Sequence, residues 1–238
     1  MENENQELEV VVKPSSSYSL KGIVEVFYAP SELFKKVKDN PKILVPYIVL
    51  ICASLLAGYL LSDLILKMQL ESPEFQERMQ GQPVTENIKS ILRITALVGM
   101  VISMSLVPLI TAGLALFFGN FVMGGKATFK QLLSVMLYSE VLFMVGGLFI
   151  IPMALAKGSL TAGISLGFLA ADQGVQSVAF VALSKISLFH IWEIIASGIG
   201  LSIIYEFTRN KGYILAVLSI GLLSIIHIGT AALGAMFK

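Results

Sequence analysis

The chain has 238 residues, of which 55% are hydrophobic and only 14% are charged. A soluble domain carries about 25% charged residues, so this composition excludes an ordinary water-soluble protein. The net charge of +1 offers no basic surface for nucleic acid. The sequence therefore predicts one integral domain whose main solvent is lipid.

The chain begins with a polar tail. Residues 1–20 include Pro14 followed by three serines, a composition typical of disordered segments. The start is acidic and polar, unlike a cleavable signal peptide, which is basic and then apolar. We expect a tail over 1–20 and a membrane domain over 21–238.

A short helix is predicted over residues 31–38, after the tail. Leu33, Phe34 and Val37 share one face, and lysines flank them. This pattern favours a helix lying at the membrane interface, with Phe34, Lys35 and Lys36 docking on the headgroups. The alternative is a soluble amphipathic helix that packs against a partner.

Five apolar stretches of 20 or more residues follow. Each is long enough to cross the ~30 Å hydrocarbon core as a helix. In chain order they are Leu44–Leu66, Ile94–Phe118, Leu132–Ala156, Ile186–Phe207 and Tyr213–Phe237. The predicted fold class is all-α integral membrane, a five-span helical bundle with short interfacial helices.

The segment between the third and fourth spans, residues 157–185, is apolar but interrupted by polar residues and glycine. We expect two half-length helices on the membrane surface or a shallow re-entrant pair; a sixth span is the alternative. The segment contains Gly-x-Ser-x-Gly around Ser165, the spacing of a nucleophile elbow. No strand signal precedes it, so we interpret the spacing as chance and predict no enzyme.

Positive charge orients the chain. Ten of the 17 lysines and arginines lie before the first span or in the two short turns, and seven lie in the other loops. Cytoplasmic loops carry the excess of positive residues. We expect a multi-pass plasma-membrane protein with a cytoplasmic N-terminus and its C-terminus outside.

Six acidic or histidine residues lie inside the predicted spans. Asp63 and Glu206 are near span ends, where they reach water, and the other four lie deeper: Glu140, His190, Glu193 and His227. Charged groups at that depth cost several kcal/mol, so each needs a partner or a role. The favoured interpretation is hydrogen bonding between helices. A proton or ion site is the first alternative and a divalent metal site the second. The sequence predicts no bound metal and no cofactor.

Small residues recur four positions apart in three spans, a spacing that lets helices approach closely. The pairs are Ala53 with Ala57, Ala196 with Gly200, and Ala231 with Ala235. Packing within one chain and an oligomer interface are both consistent with this pattern.

Three segments together resemble the Yip (Ypt/Rab-interacting protein) domain family. They are GIVEVFYAPSELFKKVKDNPKILVPYIVL, GGKATFKQLLSVMLYSEVLFMVGGL and ISLFHIWEIIASGIGLSIIYEF. The resemblance implies five spans and a cytosolic N-terminus. The eukaryotic members of this family bind Rab-type GTPases. Here Lys42–Pro46 stands where those members carry Asp-Leu-Tyr-Gly-Pro, which favours the prokaryotic branch.

Some prokaryotic members resemble accessory subunits of transport or efflux assemblies. We therefore predict a non-enzymatic accessory or scaffold subunit that binds the lipid bilayer and a membrane-protein partner, or itself. The alternatives are a small-solute, proton or metal-ion carrier using the intramembrane Glu and His residues, and a Rab-type GTPase-linked trafficking adaptor.

Overall fold

The computed structural model describes residues 19–160 and 165–236, except for the side chains of Pro73, Glu74, Ala235 and Met236. The described elements are α1 (Ser19–Tyr28), α2 (Pro30–Asp39), α3 (Leu44–Leu70), α4 (Pro73–Met79), α5 (Glu86–Leu116), a π-helical turn (Phe117–Val122), α6 (Phe129–Lys157), a 3-10 helix (Leu166–Gln173), α7 (Val178–Ser184), α8 (Leu188–Tyr205) and α9 (Arg209–Met236). An isolated bridge between Ser165 and Ser187 is the β-pairing found within these ranges.

Five of the described helices are long and apolar enough to cross a membrane: α3, α5 with its π-helical turn, α6, α8 and α9. This confirms the predicted five-span all-α bundle. Between α6 and α8, the 3-10 helix has 8 residues and α7 has 7. Both are far shorter than the ~20 residues that a span needs. The segment between α6 and α8 therefore contains two short helices and not a sixth span.

Side-chain caps define several helix starts. Ser72 Oγ accepts a hydrogen bond from the Phe75 amide, and Thr85 Oγ1 accepts one from Ile88. Ser and Thr are preferred at the position before a helix because their side chains accept hydrogen bonds from first-turn amides that have no other partner. Pro108 leaves α5 helical, and the irregular backbone comes later, at the π-helical turn.

α6 lies at the centre of the bundle and packs against α1, α2, α3, α5 and α8. Its most hydrophobic stretch is 61% buried, whereas that of α9 is 22% buried. α8 and α9 approach closely because Gly212 lies against the Gly198 carbonyl and the Ser202 backbone. A side chain at Gly212 would separate these two helices.

The N-terminal hairpin, defined here as α1 and α2, packs into the bundle. Leu33, Phe34 and Val37 are fully buried. A Cβ placed on Gly200 would lie 3.1 Å from the Phe34 ring, so this glycine makes room for the phenylalanine. The structure differs here from the sequence-based expectation: the apolar face of α2 meets α6 and α8, not the bilayer.

Three segments meet at one end of the bundle: the N-terminal hairpin, the α5–α6 turn and the α8–α9 turn. Lys38 forms an ion pair with Glu206, and Gln131 Nε2 donates to the Lys38 carbonyl at 2.8 Å. The sequence had grouped the same segments by their positive charge. Which side of the membrane this end faces stays a prediction. Of the predicted tail, Ser19 and Leu20 begin α1, and residues 1–18 lie outside the described residues.

Candidate functional site

An intramembrane polar cluster brings together three of the four predicted ionisable residues. α6 supplies Glu140, and α8 supplies His190 and Glu193 one turn apart. Glu193 Oε2 lies 2.9 Å from His190 Nδ1, and the Glu140 and Glu193 carboxyl groups are hydrogen-bonded to each other. Glu140 is 5% exposed and Glu193 is 6% exposed. The cluster therefore links the two most buried spans.

The local sequence explains why His190 and Glu193 point into the bundle. Ser187 Oγ accepts a hydrogen bond from the His190 amide and so sets the start of α8. Residues three apart lie on one helix face, and this face continues to the fully buried Ser197. On α6 the facing residues, from Leu132 to Leu142, are all buried.

Lys185 is a member of the cluster that sequence reasoning missed. It precedes α8, and its charge interacts with both Glu193 and Glu140. Burial lowers the pKa of Lys185, and the two carboxyl groups oppose that shift. Its position in an irregular connection gave no periodic signal that would have placed it here.

His227 lies apart from the carboxyl pair. The residue is exposed on α9, although its ring is close enough to Lys185 for their charges to interact. Counted at 1.5 Å per residue from the span ends, His227 and Glu193 lie at similar depth, so the sequence alone favours placing them side by side. Depth alone does not determine which way a helix face points, and the face of α9 that carries His227 turns outward.

The part of the chain that the structure describes contains no set of side chains arranged as metal ligands. Nowhere in residues 19–160 and 165–236 do three His, Cys, Asp or Glu side chains form a group that could hold a metal ion. Structural zinc sites take four protein ligands and catalytic ones three.

A lateral groove opens beside this cluster, between α3, α5, α6 and the start of α8. Its volume is about 260 Å³, and its lining is almost entirely apolar. Its lining includes two alanines and two glycines: Ala53, Ala57, Gly146 and Gly147. Phe143 also lines the groove, and its ring centroid lies 5.9 Å from that of His190, so the groove and the cluster adjoin.

The other predicted packing residues occupy different environments. Ala196 is 1% exposed in the core, and Gly200 faces Val135 and Phe34. Ala231 is half-buried on α9, and the Ala235 side chain lies outside the described residues.

The predicted docking lysines pair within the N-terminal hairpin. Lys35 Nζ lies 2.8 Å from Glu32 at an exposed position, and Lys36 Nζ lies 2.6 Å from the buried Glu25. Docking on headgroups stays a prediction for both. The sequence did not signal the buried position of Glu25, because its partner is 11 residues away on another helix.

Ser165 acts locally as a cap. Its Oγ accepts a hydrogen bond from the Gly167 amide at 3.3 Å. Gly163 and Ile164, which complete the Gly-x-Ser-x-Gly spacing, lie outside the described residues. The helix after Ser165 is a 3-10 helix of 8 residues.

Comparison with known proteins agrees with this architecture. A family model for the Yip1 domain matches residues 24–232. The chain belongs to the Yip1 family. This Yip1-family chain is also 25% identical over 207 residues to "Membrane protein YknW" of Bacillus subtilis (strain 168). That alignment covers 83% of this chain and 84% of the relative, which identifies a prokaryotic-type member. No solved structure matches the chain.

Proposed function

We propose that this Yip1-family membrane protein is a non-enzymatic accessory or scaffold subunit that binds other membrane proteins of a transport or efflux assembly. The observation that carries this proposal is the lateral groove. We further propose that the protein lies in the plasma membrane with its N-terminus in the cytoplasm and its C-terminus outside. Reporter fusions at both ends test that orientation.

The groove suits a partner helix for a physical reason. Lipid tails are as apolar as leucine, so helices associate in membranes through close packing rather than through the hydrophobic effect. Small side chains on the floor of the groove allow a second backbone to approach. Leu56, Leu60 and Leu148 at its rim are exposed and would pack against the flanks of that helix.

The experiment fills the groove and measures association. Gly147 lines it, and a Cβ there would touch no other atom within 4 Å, so Gly147→Leu adds volume without disturbing the bundle. Gly113→Leu is the matched control, since Gly113 on α5 has equally open space outside the groove. After mild detergent extraction from the native host, Gly147→Leu should lose co-purifying membrane proteins and Gly113→Leu should keep them. Equal recovery from both variants contradicts the proposal.

The polar cluster favours a second candidate function, a proton or small-ion carrier. Two buried carboxyl groups and a histidine meet between α6 and α8, where a carrier would bind its ion. If this function is right, Glu140→Gln abolishes flux into proteoliposomes. His227→Ala, which removes an exposed side chain outside the carboxyl pair, then serves as the comparison. Purified protein that moves neither protons nor ions rules this candidate out.

A further inference from the structure

Two acidic side chains contact each other in the interior of the bundle, and their contact requires a proton on one of them. The Glu140 and Glu193 carboxyl groups are hydrogen-bonded although both residues are almost completely buried. An ionised carboxylate can only accept hydrogen bonds, so one of the two groups must carry a proton as donor. Two facing carboxylates would also repel strongly away from water.

The neighbouring groups indicate where the proton resides. Glu193 Oε2 lies 2.9 Å from His190 Nδ1, and a carboxylate can only accept, so His190 donates to Glu193 from Nδ1. Glu193 then accepts from two donors, and Glu140 is the group that carries the proton. Among the described residues, the cation that interacts with both carboxyl groups is Lys185, and its charge also acts on His227.

Charge balance supports the same assignment. With one proton on the carboxyl pair, neutral His190 and charged Lys185, the cluster has no net charge. Removing the proton leaves an excess negative charge, and adding a second leaves Lys185 without a counter-ion. Uncompensated charge is disfavoured in the interior of a membrane protein, so the singly protonated state is the stable one.

We propose that Glu140 and Glu193 form a proton-binding site that holds one proton at neutral pH and exchanges it past His190 and Lys185, on the side where α8 begins. On release, the O–H bond of Glu140 breaks, the proton leaves to water, and two carboxylates face each other across α6 and α8. The hydrogen bond between these helices is then replaced by repulsion. This site is independent of the proposed scaffold role, which depends on the groove.

Infrared spectroscopy tests the site directly. The full chain is studied in an ester-free detergent, at neutral pH, in H2O and D2O. The wild type should show the carbonyl band of a protonated carboxylic acid with its deuterium shift, and Glu140→Gln should lose it. Glu25→Gln is the matched control, because Glu25 is equally buried but pairs with the cation Lys36 and not with a second carboxyl group. Absence of the band in the wild type, or its survival in Glu140→Gln, overturns the proposal.

A second variant tests the counter-charge. Lys185→Met removes the cation that stabilises the doubly ionised pair, so the band should persist to higher pH than in the wild type. An unchanged titration overturns the role of Lys185. Glu140→Gln keeps the size of the side chain and a donor toward Glu193, so it should elute as a single species in size exclusion. If Gly147→Leu keeps its co-purifying proteins and the scaffold proposal fails, these spectroscopic results are unaffected.

Discussion

Replacing Phe34 by alanine tests whether the N-terminal hairpin is part of the bundle. The ring is fully buried against Gly200 and Val135. A buried phenylalanine loses roughly 150 Å² of apolar contact on truncation, which at about 25 cal/mol per Å² corresponds to about 4 kcal/mol. Part of that loss is recovered if the released helix rests on the membrane, so we expect about 3 kcal/mol. Since 1.4 kcal/mol is a factor of ten, detachment of the hairpin should become about 100-fold more frequent.

The assay is labelling of a buried cysteine at position 37 by a water-soluble maleimide. Val37→Cys, in a background with Cys52→Ser, places a thiol of similar size on the buried face of α2. Phe34→Ala should accelerate labelling about 100-fold if labelling requires detachment. The control is Phe121→Ala, because Phe121 is 79% exposed. No acceleration, or equal acceleration by the control, would refute the buried position of the hairpin.

Three further predictions concern the ends and the outer surface of the bundle. Lys36→Met leaves the buried Glu25 carboxylate without its partner and should lower the unfolding free energy by roughly 2–3 kcal/mol. This loss is smaller than for a fully buried pair because the Lys36 side chain is about a third exposed. Lys35→Met is the control, since it breaks an exposed pair and should leave thermal unfolding unchanged. A hydrogen bond and the charge of Lys38 lower the pKa of Glu206 from its ordinary value of 4.5. This contribution is present above pH 4.5 and is lost as the pH falls through the lowered folded pKa. The thiolate is the reactive form of cysteine, so the labelling rate at position 37 is divided by that of an exposed cysteine at the same pH. Acid should raise this relative rate, and Glu206→Gln should abolish the rise; a rise that persists in the variant contradicts the prediction. Cys52 is exposed on α3 within a span, so a charged maleimide should label it after denaturation in SDS but not in intact membranes; labelling in intact membranes would place that face of α3 in water.

The number and positions of the spans were predictable because the bilayer imposes a length on each helix. About 20 apolar residues are needed for one crossing, and α3, α5, α6, α8 and α9 all exceed or approach this length. The short elements between spans were predictable for another local reason: Ser72 and Thr85 cap the amides of their own first turns.

The candidate site was predictable only in part. Glu140, His190 and Glu193 stood out because ionisable residues are costly in a span, and the structure does bring them together. His227 stood out for the same reason but faces outward. Lys185 belongs to the cluster and lies in a connection, where no periodic pattern announces a contact.

Three properties follow from the sequence alone: lipid surrounds this chain, five helices cross the membrane, and the chain resembles the Yip family. Hydropathy and the order of motifs determine all three, and both are read along the length of the chain. Only the tertiary structure decided that Phe34 lies under Gly200 and that Glu140 meets Glu193. Each residue turns about 100° around its helix axis, and α2, α6 and α8 are rotated by their packing against one another. That rotation is a relation between distant segments, which no window of neighbouring residues contains.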